Sequence, residues 1–491
     1  MRGNYVTVRG YNNGTRFVDK IPYNPSLFVP SKTKTNWKTL NSTYMEEIQF
    51  GGIQDAREFV KNYSKAEGFK IYGSTLYDYV YIHQNFIHEY DAEYIKVVNI
   101  DIEVGSEDGF PDPKLSNQPV TAITCSIDGA FYTFGCGEYT PKQDNVTYTK
   151  CTNEKDLLLK FLSSWRQWDA DIVTGWNVQG FDIPYMYNRI SKILGEKNAK
   201  RLSPVNMIRE REYEKFNKTQ IEINLIGLTT LDYLELYRKF TYSQQESYRL
   251  DHIAHVELDE RKLDYSEVEN LNQLYKLDYD KFIDYNIKDV ELVDKLEDKM
   301  KLIDMALAIA YDAKVNYGDV FTQVRMWDVL IHNWLYDQNI SIPPKEFKEK
   351  KTQYAGGYVK DPQIGAHDWV MSFDLNSLYP HLIMQYNISP DTFVGDYVDV
   401  SINDLLNRKR PDVDPNMCMA GNGYLFVKDK KGFLPKMMDK MYSDRVIAKK
   451  KMLEAEELLE QVNKKLNNFT LGDIANSRMG GETVEVKLSD L

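Results

Sequence analysis

"VNIDIEVGSEDGFPDP", residues 98–113, decides the fold. It begins as an apolar, β-branched run and carries two acids, Asp101 and Glu103, on either side of Ile102. Residues i and i+2 of a strand share a face, so two carboxylates stand side by side at the end of a segment suited to a core. An exposed strand with two solvated acids would explain a lone pair of this kind. The flanking sequence asks for more. "IKVVNIDIEV" (95–104), "PVTAITCSI" (119–127) and "GAFYTFGCG" (129–137) read as consecutive strands. "NEKDLLLKFLSSWRQW" (153–168) has helical spacing, "ADIVTGWN" (170–177) reads as a strand and "DIPYMYNRISKIL" (182–194) as a helix. The alternation predicts an α/β layout with a mixed sheet over residues 96–302.

Composition sets wider bounds. The chain has 491 residues, enough for about three domains. It is 42% hydrophobic and 27% charged, and no apolar run approaches the ~20 residues that span a bilayer. We therefore expect no membrane association. Cys125, Cys136, Cys151 and Cys418 are too scattered for a zinc pattern and read as reduced thiols of an intracellular protein. The net charge of −12 argues weakly against nucleic-acid binding. A basic groove can coexist with an acidic remainder, and a site for divalent cations itself demands carboxylates.

Elsewhere, residues 1–95 mix short strand signals with turn clusters, and "DAREFVKNYSK" (55–65) reads as a short helix. Residues 281–315 read as one long helix. "ISIPPKEFKEKK" (340–351) places a boundary, "DWVMSFDLNSLYPHLIM" (368–384) reads as a strand entering a turn or helix, and residues 432–466 as a long charged helix.

Two further segments bear on the acids. "TGWNVQGFDIPYMYNRI" places Asp182 at a strand-to-helix junction, and "YNIKDVEL" places Tyr285 and Asp289 four apart on one helical face. Four converging carboxylates cannot all stay ionised without cations. Two magnesium ions ~4 Å apart need such hard oxygen ligands, one to activate water and one to stabilise a leaving 3′-oxygen. A neighbouring tyrosine hydroxyl can orient the attacking water.

The order D-x-E, N-x(3)-F-D, Y-x(3)-D resembles the three exonuclease motifs of DnaQ-like 3′→5′ proofreading exonucleases. The wording of "DIEVGSEDGFPDP", "GWNVQGFDIPYMYNRI", "AKRLSP" and "MSFDLNSLYP" resembles family B DNA polymerases of the T-even phage type, from the N-terminal region to about residue 465. The resemblance implies a multidomain chain. It would have a mixed α+β domain at 1–95, to which 303–345 return, and a DnaQ-like, RNase H-like exonuclease domain at 96–302. A partial palm at 346–432 and partial helical fingers at 433–491 would follow. It implies that Asp101, Glu103, Asp182 and Asp289 carry two Mg2+, with Mn2+ as a substitute, and that Tyr285 assists.

"SFDLNSLYP" (372–380) resembles the family's first polymerase motif, D-x-x-S-L-Y-P. By that resemblance Asp374 and the Leu375 carbonyl hold a catalytic metal. Ser377 and Leu378 offer backbone N–H groups to a triphosphate, and Tyr379 lies under the incoming sugar. A strand end with a helix N-cap fits the same letters. "YAGGYV" (354–359) resembles the segment through which Tyr354, Gly356 and Gly357 would contact template, and a plain turn fits equally. Arg445 and Lys449 share a helix face and resemble the cations that grip dNTP phosphates, although Lys450 and Lys451 follow as a solvated basic face would.

The second palm aspartate, a complete second fingers helix and the thumb have no counterpart. "NYGDVF" (316–321) and "NSRMGG" (476–481) are only look-alikes. The expectation is the N-terminal piece of a split polymerase. It would act on primer–template and single-stranded DNA and add dNTPs only with a second polypeptide, which would also reach the sliding clamp, in the cytoplasm of an infected bacterium. A stand-alone exonuclease and a nucleic-acid-binding regulator are the alternatives.

Overall fold

The computed structural model describes residues 3–12, 14–86, 91–105, 109, 111–215, 218–344, 359–409 and 411–468. The chain forms two compact units, Met1–Thr39 with Thr43–Lys345, and Leu40–Ser42 with Glu346–Leu491.

The first unit is organised by a six-stranded sheet. Its spatial order is Thr229–Thr230, Ile172–Thr174, Val97–Val104, Val120–Ile127, Ala130–Gly135, Val146–Lys150. The strand Val97–Val104 runs parallel to Ile172–Thr174 and antiparallel to Val120–Ile127, so the sheet is mixed as expected. Alternation along that strand sorts its side chains. Val98, Ile100 and Ile102 enter a core with Leu157, Leu158 and Phe161 of the helix Glu154–Trp168, and Ile183, Met186 and Ile190 of the helix Asp182–Leu194. Asn99, on the opposite face, donates from Nδ2 to the Val290 carbonyl at 2.9 Å and to Asp294 Oδ1 at 2.8 Å, which pins the helix Tyr279–Met300 against the sheet. Helices thus cover both faces, the arrangement that a largely buried sheet requires.

The reading of 281–315 as one helix is corrected. The helix Tyr279–Met300 stops at Lys301, whose φ of 53° is left-handed, and a second helix runs Leu302–Ala313. The Glu297 carboxylate accepts the backbone N–H of Ile303 at 3.1 Å and so satisfies a free donor of the second helix. The break lets Leu302, Ile303, Ala306, Leu307 and Ala310 turn back beside Leu292, Val293 and Leu296 of the first helix, in a second core with Leu231, Tyr233 and Leu236. Apolar periodicity runs through such a corner and hides it.

Nearer the start of the chain, the helix expected at 55–65 is present as Ile53–Tyr63. An antiparallel hairpin, Tyr5–Asn12 with Thr15–Pro22, is tied to the sheet by charge. Arg9 and Arg16 contact Asp169 at 2.8 and 3.0 Å, and Asp171 at 3.4 and 2.5 Å. Asp171 immediately precedes the strand Ile172–Thr174.

The second unit contains a helix Leu378–Gln385 and a three-stranded sheet ordered Phe393–Tyr397, Tyr424–Val427, Met417–Met419. A helix Phe433–Asn468 follows, the long charged helix read from 432–466. The expected strand before Asp374 is absent: residues 366–375 form no ladder. Val370, Met371 and Phe373 are 77, 78 and 87% exposed. An apolar run becomes a strand only where a neighbour accepts its backbone bonds, and none of the described strands of this unit does so.

Cys125, Cys136, Cys151 and Cys418 form no disulfide. Among the described residues no helix is long and apolar enough to cross a membrane.

Candidate active site

The acids collect where the central strand meets the helix Tyr279–Met300. Asp101 and Glu103 project from the strand and Asp289 from the helix. One oxygen from each lies within 4.8 Å of the others. Asp289 is 3% exposed, while Asp101 and Glu103 are partly buried.

Asp182 reaches the same strand differently. The strand Ile172–Thr174 ends opposite Asn99, so Ile102 lies beyond its last rung. Asp182 Oδ1 accepts the Ile102 N–H at 3.1 Å, in the place a further strand residue would fill. Gly175 permits the departure from the sheet. Its φ is +149°, and a Cβ there would stand 2.4 Å from the Ile100 carbonyl oxygen. The turn that follows is held by Asp232, 3% exposed, which accepts the N–H of Asn177 at 3.0 Å, of Gln179 at 2.9 Å and of Leu234 at 3.0 Å.

Charge in this small volume is expensive. Burial, then Asp289, Asp182 and Glu103, push Asp101 well above the usual carboxylate range. Burial, then Asp289, raises Glu103 to about 8. Asp182 rises to about 7 by burial, although the Ile102 N–H pulls it back. Asp289 rises by burial against the opposing pull of Lys262.

Lys262 is the internal cation. Its Nζ lies 2.5 Å from Asp289 Oδ2 and donates to the Tyr285 hydroxyl at 3.1 Å. Burial lowers its pKa, but Asp289, Tyr285 and Asp101 more than offset that, so the ammonium is held charged. Tyr265 packs edge-on against Tyr285 with ring centroids 5.4 Å apart. Asn286 donates from Nδ2 to Asp101 Oδ2 at 2.7 Å.

The donor set fits a hard divalent cation. It consists of carboxylate oxygens, and Asp289 Oδ1 is buried with no hydrogen-bond partner. A buried acceptor left open beside two more acids is what an incoming cation would satisfy.

The structure therefore gathers Asp101, Glu103, Asp289 and Tyr285, with Asp182 on the adjoining backbone. Lys262, Asn286 and Asp232 were not singled out from sequence. Asn286 follows Tyr285 directly, so its placement beside the cluster was within reach. Lys262 in "DERKLDYSE" and Asp232 in "TTLDYL" carry no local pattern that marks them.

The polymerase-type residues lie in the second unit. Asp374 is exposed, and Leu375, Leu378 and Tyr379 are 70, 41 and 77% exposed. Ser377 precedes the helix Leu378–Gln385 at a left-handed φ of 51°. That helix packs on Phe433–Asn468 through His381 and Tyr442, with ring centroids 4.7 Å apart. Arg445 Nη1 is brought to 3.5 Å from Ser377 Oγ, and Lys449 stands one turn further on, exposed. Tyr354, Gly356 and Gly357, and the look-alike at 476–481, fall outside the described residues.

Comparison with known proteins agrees with both halves. Residues 63–253 match the family described as DNA polymerase family B, exonuclease domain, and residues 317–485 match DNA polymerase family B. The DNA-directed DNA polymerase of Escherichia phage RB69 is 35% identical over 493 aligned positions, covering 94% of this chain and 54% of the relative. That of Enterobacteria phage T4 is 31% identical over 494 positions, with the same shares. A DNA polymerase of Pyrococcus glycovorans is 23% identical over 417 positions, 79% of this chain and 47% of the relative. The chain spans about half the length of the curated relatives it matches.

Proposed function

The chain belongs to DNA polymerase family B, and on that premise we propose that it is a 3′→5′ proofreading exonuclease and the N-terminal part of a split phage-type replicative DNA polymerase. The observation that carries the nuclease reading is the convergence of Asp101, Glu103 and Asp289, with Asp289 Oδ1 buried and open.

In this reading Asp101, Glu103, Asp182 and Asp289 hold two divalent cations, Mg2+ or Mn2+. When bound, the cations supply an activated water and charge stabilisation at the leaving 3′-oxygen of a phosphodiester. The chain's own residues do the rest. Tyr285, tethered by Lys262, orients the attacking water through its hydroxyl. The Lys262 ammonium adds positive charge beside the phosphate. Asp232 fixes the turn from which Asp182 is presented.

For nucleotide addition, Asp374 and the Leu375 carbonyl would hold metal, Ser377, Leu378 and Tyr379 would receive the dNTP, and Arg445 and Lys449 would grip its phosphates. Tyr354, Gly356 and Gly357 would contact template. Two-metal transfer needs a second carboxylate, so a partner polypeptide would bring it together with the rest of fingers, palm and thumb, and the route to a sliding clamp. The setting is the cytoplasm of an infected bacterium. A stand-alone exonuclease is the second reading, favoured by the exposure of Asp374 and its neighbours.

A labelled primer–template incubated with the purified chain, Mg2+ and four dNTPs tests the proposal. Shortening alone is the expected result. Lengthening would refute the need for a partner, and no change in length would refute an exonuclease active on its own.

A further inference from the structure

Asn286 is fully buried, on the helix that carries Tyr285 and Asp289, and it faces the central strand. Its Nδ2 donates to Asp101 Oδ2 at 2.7 Å, while its own Oδ1 is buried with no partner. An unpartnered buried acceptor works against stability, so the amide is held there at a cost that its bond to Asp101 Oδ2 must offset. A leucine of similar size would fill the space without that cost, but it would leave Asp101 Oδ2 without its donor.

The same pattern occurs across the site. Asp289 has Oδ2 held by Lys262 at 2.5 Å and Oδ1 open. Asp101 has Oδ2 held by Asn286. Each acid, one from the strand and one from the helix, has one oxygen fixed by a donor. Its carboxylate plane is thereby set before any cation arrives. The donor on Asp101 is neutral, so it orients the group without competing for a cation's place.

We propose that Asn286 is a positioning residue, setting the Asp101 carboxylate for divalent-cation binding through the Nδ2–Oδ2 hydrogen bond. This rests on the reading of Asp101 as a cation ligand. Donors of this kind to a ligating group are worth about ten- to a hundredfold in metal affinity.

The test uses the full chain without DNA. Mn2+ binding is followed by electron paramagnetic resonance for wild type, Asn286→Leu, Asn286→Ala and Asp101→Ala. Melting is recorded in chelator, and the Mn2+ dependence of single-strand hydrolysis is measured. We expect Asn286→Leu and Asn286→Ala to bind Mn2+ about ten- to a hundredfold more weakly. The rate of Asn286→Leu at saturating Mn2+ should return to within a few-fold. Mn2+ affinity within twofold of wild type in both Asn286 variants, with or without a change in melting, overturns the proposal while Asp101→Ala loses binding. If Asp101→Ala also binds like wild type, the cation-site reading itself is overturned, and this inference goes with it.

Discussion

Asp101 sits in a strand, paired with Thr124 of its neighbour and faced by a helix that brings Asp289 and Asn286. Asp374 lies on an irregular segment between Phe373, 87% exposed, and Leu375, 70% exposed. Family resemblance assigns both acids to cation binding, yet their surroundings differ in kind. The first group of acids is crowded and desolvated, so its ionised form is costly until a cation arrives. The second stays hydrated and has no carboxylate neighbour in the recognised motif. Clustering is a property of an assembled scaffold, and the same letter of sequence is one of a gathered set in one region and solitary in its motif in the other.

The sharpest way to break the comparison is to remove the acids. Asp101→Ala with Glu103→Ala should lower hydrolysis of a 3′-labelled single strand by about a thousandfold or more, since metal catalysis supplies several kcal/mol. DNA binding, followed by fluorescence anisotropy, should persist. Asp374→Ala should leave that rate within about twofold. An equal loss from Asp374→Ala would dissolve the distinction.

Next in size is Asp232→Ala. It strips three backbone N–H groups of their acceptor, a cost of about 3 kcal/mol, and should loosen the turn that leads to Asp182. Melting temperature and hydrolysis rate should fall together.

The acids also set a pH dependence. Glu103 rises from 4.5 to about 8 in the folded chain. Between about pH 5 and 8 the metal-free fold therefore keeps a proton that the unfolded chain has released, and stability falls as pH rises through that window. Melting in chelator should drop on the order of several degrees, and saturating Mg2+ should abolish the drop. A flat profile in chelator would show that burial at Glu103 is relieved some other way.

The smallest effect belongs to the exposed helix. Lys449→Ala should move the melting temperature by no more than about 0.5 kcal/mol would and leave hydrolysis unchanged. A larger change would mean that the second unit supports the nuclease.

The strands and helices around the acids were legible because one face of each is buried, and burial writes a period of two or 3.6 into the letters. Asp101, Glu103, Asp182, Tyr285 and Asp289 were legible because they fall into ordered motifs. The corner at Lys301 was not, since an apolar stripe continues across it. Lys262 and Asp232 act through neighbours distant in sequence, and no local pattern encodes a distance, whereas Asn286 stands next to Tyr285. The strand expected before Asp374 failed for the complementary reason. Its letters form an apolar run, but pairing is a relation between two segments.

Arg9 and Arg16 reach Asp169 and Asp171, at the root of a strand beside the one bearing Asp101. A fragment begun near residue 96, where the motifs begin, would leave those two acids facing one another stripped of both guanidinium groups. A fragment that keeps those ion pairs must therefore include the hairpin that begins at Tyr5, 96 residues before Asp101.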